Sequence, residues 1–465
     1  MAKTPVKTIR EPARDINVVH EADVVVVGGG PGGHSAAVAA ARNGARTILL
    51  ERYGQLGGMA SGGLVILVLH QSDGFSTKPI IAGLPLEWME RLSKIPGGKI
   101  GPELEELGST DPKVLARWKN HGATVMGGRI RLSWTYDPEY FKCILNDMAE
   151  ESGVKLSLHS WGTRAIVEKG AVKGVIFESK SGRQAVLGKV IIDGTGDGDL
   201  LPSAGAESDT SLDPKIRSAN MALLFRLGNV NYDKFMEANA KDPTKARELS
   251  AELTKAAGTF FLPFPGNRED TVWVNNWIPG LKAINVEDLT KLEVDTRKMI
   301  RKGFAFMQKN YPGFENSFIM DIASQAGVRG SRRLVGEYVL AGDDVNSSRK
   351  FDDTIAIVPK VTVGWGSDMT EQGVTKRGDT CAYVPYRALV PKTVEGLLVG
   401  SRCFSSDILA NDSLNLIPHC AAIGEAAGTA AALAVKQGIP ARKVDIKLLQ
   451  KTLAKNGANL EGFVK

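Results

Sequence analysis

The chain has 465 residues, with 58 Lys and Arg against 52 Asp and Glu and a net charge of +6. Its 43% hydrophobic and 24% charged residues are ordinary for a globular protein with a large core, so disorder, collagen and coiled coil are excluded. The positive excess is spread along the chain instead of forming a basic stripe among aromatics, which argues against nucleic acid as a partner. Cys143, Cys381, Cys403 and Cys420 form no C-x-x-C pair; no zinc ribbon, iron–sulfur cluster or disulfide scaffold is expected, only reduced, buried thiols, and no metal.

Residues 1–22 read as a polar tail without the apolar region of a secretory signal, and no membrane span is expected, so the sequence predicts a soluble, cytoplasmic protein. The β-branched run Asp23–Val27 reads as a strand buried on both faces, followed at once by Gly28-Gly29-Gly30-Pro31-Gly32-Gly33. An Ala-rich helix from His34 to Asn43 and a strand Thr47–Leu50 closing on Glu51 complete a β-α-β unit. Residues 76–130 form a loop and helical excursion that includes a helix over 112–119. A helix follows from Asp137 to about Ser152, then a meander of three segments, 155–158, 162–168 and 171–179, and a buried strand Val190–Ile192 running into Asp193-Gly194-Thr195-Gly196-Asp197.

Between 209 and 330 the character changes: Phe260, Phe261, Phe264, Trp273 and Trp277 cluster, and a charged helix spans Val286–Lys309. This stretch is expected to be an inserted α+β substrate domain. Strand Gly396–Gly400 and a helix Pro418–Gln437 near the end indicate that one sheet is assembled from the beginning, middle and end of the chain. The fold class is therefore α/β, a Rossmann-like nucleotide-binding domain with a parallel sheet and a meander, built from 23–75, 131–208 and 331–465.

Gly28, Gly30 and Gly33 have the spacing G-x-G-x-x-G between a strand and a helix. The first allows a tight turn, the second lets a pyrophosphate approach the backbone, and the third lets the helix pack closely on the strand. Helix N-terminal amides then face the phosphates. Glu51, at the end of the second strand, can accept both ribose hydroxyls, which disfavours a 2′-phosphate and hence NADP. FAD is favoured over NAD by three features: Gly57-Gly58 after the acidic strand end, the Asp193–Asp197 turn, and a late helix that can aim its dipole at the N1/O2 edge of a reduced flavin.

The segments Val25–Gly33, Gly57–Gly63, Asp193–Leu200, Val328–Gly336, Val384–Pro391, Leu398–Cys403 and Gly424–Gly428 resemble the FAD-dependent oxidoreductases of the broad glutathione-reductase and succinate-dehydrogenase-like flavoprotein superfamily. The resemblance covers nearly the whole chain from about residue 20. It implies FAD extended along the first β-α-β unit, with catalysis at the interface to the inserted domain. The implied FAD contacts are Gly28, Gly30, Pro31, Gly32, Gly33, Glu51, Arg52, Gly57, Gly58, Met59, Thr195, Gly196, Asp197, Arg402, Asn415 and Leu416. Two departures bear on substrate: Ser401-Arg402 stands where the family usually has Gly-Arg, and Asn411–Asn415 where a loop Arg is usual. There is no second G-x-G-x-x-G and so no dedicated NAD(P)H domain.

Catalysis calls for a pocket, a proton acceptor or donor, and charge-stabilising groups beside a flavin that accepts a hydride at N5. Arg402, and Arg332 or Arg333, could anchor a carboxylate or an oxyanion, or serve as interdomain ion pairs. His419 and His70 are candidate bases, His70 also a point of covalent flavin attachment; His34 reads as a helix-start residue. Asp407 and Asp412 are either proton acceptors or capping groups. Trp273 and Trp277 could line a substrate pocket or simply pack the domain, while Cys403 and Cys420 read as small buried hydrophobes. The expected activity is hydride transfer between a small organic substrate and flavin N5, with the electron acceptor or donor and homo-oligomerisation left open. Alternatives are an electron-transfer subunit working with a partner protein, or a nucleotide- or RNA-associated flavoprotein without turnover.

Overall fold

The computed structural model describes residues 7–121, 123–360 and 380–464. The chain opens with β1 (Asn17–Val27), α1 (Pro31–Arg42) and β2 (Thr47–Leu50). Val24, Val25, Val26 and Val27 are all buried, as both faces of a helix-covered parallel strand must be. The strand is longer than its apolar run suggests. Asn17–Ala22, expected as tail, pair with a later strand from Asn17↔Gln184 onward, and their polarity reflects the solvated end of the sheet. The first helix starts at Pro31, not His34, with Gly30 as its N-cap; Pro there has its φ already set for a helix and loses no needed donor.

α2 (Leu84–Ser93) lies in the 76–130 excursion. α3 (Pro138–Glu151) is capped by Asp137, whose carboxylate accepts from the amides of Glu139 at 2.9 Å and Tyr140 at 3.2 Å. Four strands follow: β3 (Lys155–Ser157), β4 (Trp161–Glu168), β5 (Ala171–Ser179) and β6 (Gly182–Asp193). The expected meander is displaced by one strand. β3 pairs parallel with β2, and the meander is β4, β5 and the outer half of β6. The outer half of β6 is polar and reads as a turn, yet it finds β5 on one side and β1 on the other. The main sheet runs β3-β2-β1-β6-β5-β4.

Next comes an antiparallel sheet made from β7 (Phe225–Gly228), β8 (Phe261–Pro265), β9 (Val272–Asn276) and β10 (Phe318–Ile322), in the order β8-β9-β7-β10. Three helices lie between these strands: α4 (Tyr232–Lys241), α5 (Pro243–Ala257) and α6 (Val286–Asn310). Its core includes Phe225 and Phe261, edge to face at 5.4 Å, a geometry that adds to simple area burial.

After the hairpin-like pair β11 (Thr354–Pro359) and β12 (Cys381–Pro385), β13 (Leu397–Val399) returns to the main sheet, parallel to the inner half of β6. Three helices follow, α7 (Ile408–Leu414), α8 (Ile417–Gln437) and α9 (Ile446–Lys455). α7 replaces the loop expected over Asn411–Asn415; Asp407 caps it by accepting from the Ala410 amide at 2.8 Å. α8 crosses α1 at backbone distance, because a Cβ on Gly424 or Gly428 would collide with the carbonyls of Gly32 and Ala36. Among the described residues no single helix is long and apolar enough to cross a membrane. The thiols of Cys381, Cys403 and Cys420 are buried, but Cys143 is exposed, contrary to expectation: it sits on the outer face of α3.

Candidate active site

A cavity of about 810 Å³, its mouth included, runs along the ends of β1, β2, β6 and β13, where open parallel sheets bind ligands. At one end Glu51, Arg52, Tyr53, Ser160 and Trp161 line it; at the other stand Ser401, Arg402, Asn415, Ile417 and Cys420. Between them lies the glycine turn. Gly28 has φ +92°, and a Cβ there would meet Thr195 Cα at 2.7 Å, since the turn after β6 packs directly on it. A Cβ on Gly33 would strike the Gly28 carbonyl, whereas one on Gly30 would meet nothing within 4 Å. That open space above Gly30, at the N-terminus of α1, is the shape a pyrophosphate fills.

The Glu51 carboxylate is 5% exposed and accepts from the amides of Gly29 at 2.6 Å and Tyr53 at 2.8 Å. A carboxylate has about four acceptor positions, so two remain for hydroxyl donors. Burial pushes its pKa above the ordinary range, against the pull of these amides. Trp161 and Tyr53 carry no motif in the sequence; Trp161, 54% exposed, joins the cavity only through the fold.

The carboxylates after β6 are organised by hydrogen bonds. Asp193 accepts from Thr195 N at 3.0 Å, Thr195 Oγ1 at 2.7 Å and Leu200 N at 3.0 Å. Asp197 takes Arg402 Nη2 at 2.7 Å and the Ser331 hydroxyl at 2.5 Å. Burial, with Asp197 and Asp193 beside it, pushes Asp199 up to about 6. The Arg402 guanidinium lies over Gly196 and is thus already paired.

The structure places Gly28, Gly30, Pro31, Gly32, Glu51, Arg52, Gly58, Met59, Thr195, Gly196, Arg402 and Asn415 along the cavity. Gly33, Gly57, Asp197 and Leu416 stand behind these lining residues. Arg333 does not join them: 1% exposed, it pairs with Asp209 at 2.5 Å and donates to the Ser406 carbonyl at 3.2 Å. Arg332 donates to Asp197 O and Asp199. Trp273 donates to the Leu64 carbonyl and packs on Phe264, while Trp277 faces Phe260 and Arg329, so the two do not form one wall. Burial raises the Cys403 and Cys420 thiols far above their usual range, which leaves them protonated.

His70 and His419 lie off the cavity wall, in one buried polar cluster with Arg217, Arg329, Asp412 and Asn415. His70 has φ +59°, unusual for a side chain other than Gly, Asn or Asp. Its Nδ1 accepts from Arg131 Nη1 at 3.1 Å, so its proton is on Nε2. His419 donates from Nε2 to the Pro359 carbonyl at 2.8 Å, leaving Nδ1 buried and without a partner among the described residues. Burial holds His419 down to about 4 and His70 well below the usual imidazole range, with Arg217 adding to both. Arg217 donates from Nη2 to the Asp412 carbonyl and to Asn415 Oδ1. Asp412 accepts from the Ser218 amide at 2.6 Å. His34, fully buried behind the glycine turn, donates to or accepts from nothing in the cavity: Nε2 bonds the Leu145 carbonyl at 3.0 Å, and burial holds it down to about 4.

A glycine cradle at the switch of a parallel sheet, with an acidic strand end, defines a dinucleotide-binding α/β protein. The chain matches the FAD dependent oxidoreductase family over residues 23–453 and belongs to it; it is a flavoprotein that uses FAD. No curated protein matches the chain. Three solved structures similar to it are distant. A geranylgeranyl bacteriochlorophyll reductase-like protein from Thermoplasma acidophilum is 15% identical, with 94% of this chain and 83% of that one covered and a TM-score of 0.45. The flavin-dependent brominase Bmp2 is 14% identical, with 94% and 83% covered and a TM-score of 0.47. The p-nitrophenol 4-monooxygenase PnpA from Pseudomonas putida DLL-E4 is 10% identical, with 93% and 84% covered and a TM-score of 0.47.

Proposed function

We propose that this FAD-dependent oxidoreductase transfers a hydride between a small organic substrate and the flavin. Gly30, Gly32 and the first amides of α1 hold the pyrophosphate, Glu51 the adenosine ribose, and Arg52, Tyr53 and Trp161 flank the adenine. Arg402, Asn415, Leu416 and the N-terminus of α8 then surround the ring. When bound, FAD supplies a two-electron acceptor at N5. The open cradle above Gly30, with the Glu51 carboxylate at the strand end, carries the reading. His419, buried behind the wall with Nε2 bonded to the Pro359 carbonyl, stays neutral and holds the first turn of α8 in place.

The test is anaerobic titration of the purified yellow protein with a panel of candidate hydroxy, amino and unsaturated metabolites, following absorbance near the flavin maximum. Stoichiometric bleaching by one chemical class supports the reading. A flavin that dithionite reduces but no metabolite touches, and that no reduced nicotinamide touches either, rejects it.

A further inference from the structure

We infer that Arg217 and Arg329 form a subsite for the carboxylate of a small organic acid, next to the ring end of the cavity. The inference rests on the hydride-transfer reading and names the substrate class that this reading leaves open.

The argument is one of uncompensated charge. Three other arginines withdrawn from solvent have a carboxylate of their own: Arg226 has Asp321 at 2.5 Å, Arg333 has Asp209 at 2.5 Å and Arg402 has Asp197 at 2.7 Å, while Arg131 donates to His70 Nδ1 at 3.1 Å. Arg217, 8% exposed, faces Asp412 at 3.7 Å. Arg329 has no carboxylate among the described residues. It donates to Asn275 Oδ1 at 3.1 Å and lies over the Trp277 ring at 5.8 Å, and its Nε is buried with no hydrogen-bond partner. Two guanidiniums thus share one carboxylate. Burial, then Arg217, lowers the Arg329 pKa to about 9 against the pull of Asp412, the response of a cation short of a counter-ion. A buried unpaired charge costs several kcal/mol, a cost that an anionic ligand offsets.

The location is fixed by Asn415, which lines the cavity. Its Oδ1 accepts from Arg217 and its Nδ2 donates to the Arg329 carbonyl at 3.1 Å. Val328, the neighbour of Arg329, lines the same cavity. The pair therefore sits directly behind the wall that Asn415 and Val328 form, and the Arg329 Nε, without a partner among the described residues, is the donor left for a carboxylate. Arg402, neutralised by Asp197, is thereby excluded from this task.

Calorimetric titration of the FAD-loaded protein with acetate, glutarate, mandelate and phenylacetate, each beside its amide, tests the subsite. At least one acid is expected to bind at least about tenfold more tightly than its amide, and Arg329→Met to abolish that preference while Arg329→Lys keeps part of it. Flavin content, read from the visible spectrum, stays unchanged in both variants. Equal affinity for acids and amides, no binding by any acid, or an undiminished preference in Arg329→Met each overturn the inference. The wild-type comparison decides the matter even should a variant fold poorly. Acids that bind yet never reduce the flavin contradict the hydride-transfer reading and leave the subsite standing.

Discussion

The glycine cradle, which lines the cavity, and the Arg217–Arg329 cluster, buried behind its wall at Asn415, are built on opposite principles. The cradle is made of backbone. Its buried carboxylate, Glu51, already has two amide donors, and its selectivity is steric, set by what fits above Gly30. The cluster is made of charge. Its members leave Arg329 Nε and His419 Nδ1 without partners, so its selectivity is electrostatic and incomplete until a ligand arrives. The first is a finished mould; the second is a buried set of groups with donors and acceptors left over.

The largest effect should come from the cradle. Gly33→Val places side-chain atoms against the Gly28 carbonyl, and FAD affinity should fall at least about a thousandfold, roughly 4 kcal/mol; the protein should purify colourless, while a yellow Gly33→Val protein would show that the turn yields. Next, Arg402→Met leaves Asp197 buried without its cation. Stability to urea should drop by about 3 kcal/mol, although the residue lines the cavity, and an unchanged midpoint would mean that Arg402 is free to serve substrate.

A pH series separates the two further. Folded His419 titrates at about 4 against about 6.5 unfolded, so between these values the unfolded chain binds the extra proton. Stability is full above pH 6.5 and is lost as pH falls toward 4. His419→Asn should therefore lose about 2 kcal/mol less than the wild type between pH 7 and pH 5, measured by urea unfolding; parallel losses would place the acid sensitivity elsewhere, His34 in the cradle being the obvious second source. Smallest is Glu51→Gln, which keeps the shape and one acceptor. FAD binding should weaken about tenfold, near 1.4 kcal/mol, read by quenching of flavin fluorescence.

The difference between the two also decided what could be read before any coordinates. The cradle is legible because its elements are contiguous: strand, glycines, helix and Glu51 follow one another without interruption from Val24 to Glu51, and each glycine answers a local steric need. The meander was misplaced because the partner of β3 is β2, about a hundred residues earlier, a choice made by the sheet and not by the segment. The cluster was illegible for a stronger reason. Arg402, at the end of a buried strand, and Arg332 or Arg333 read as anchors for a carboxylate or as ion-pair partners, and in the fold Arg402 and Arg333 are each neutralised by an Asp that sequence cannot pair with them. Arg217 carries no motif and Arg329 lies unremarked in the family-like segment Val328–Gly336; they are conspicuous only in the fold, where the two share Asp412.

The contact of Gly424 and Gly428 with the backbone of α1 sets an order of events during biosynthesis. The nucleotide fingerprint, Gly28–Gly33, leaves the ribosome well before the helix that buttresses it, Ile417–Gln437. A nascent chain halted before Gly424 has its recognition loop and lacks the wall behind it, so such arrested chains should retain no flavin.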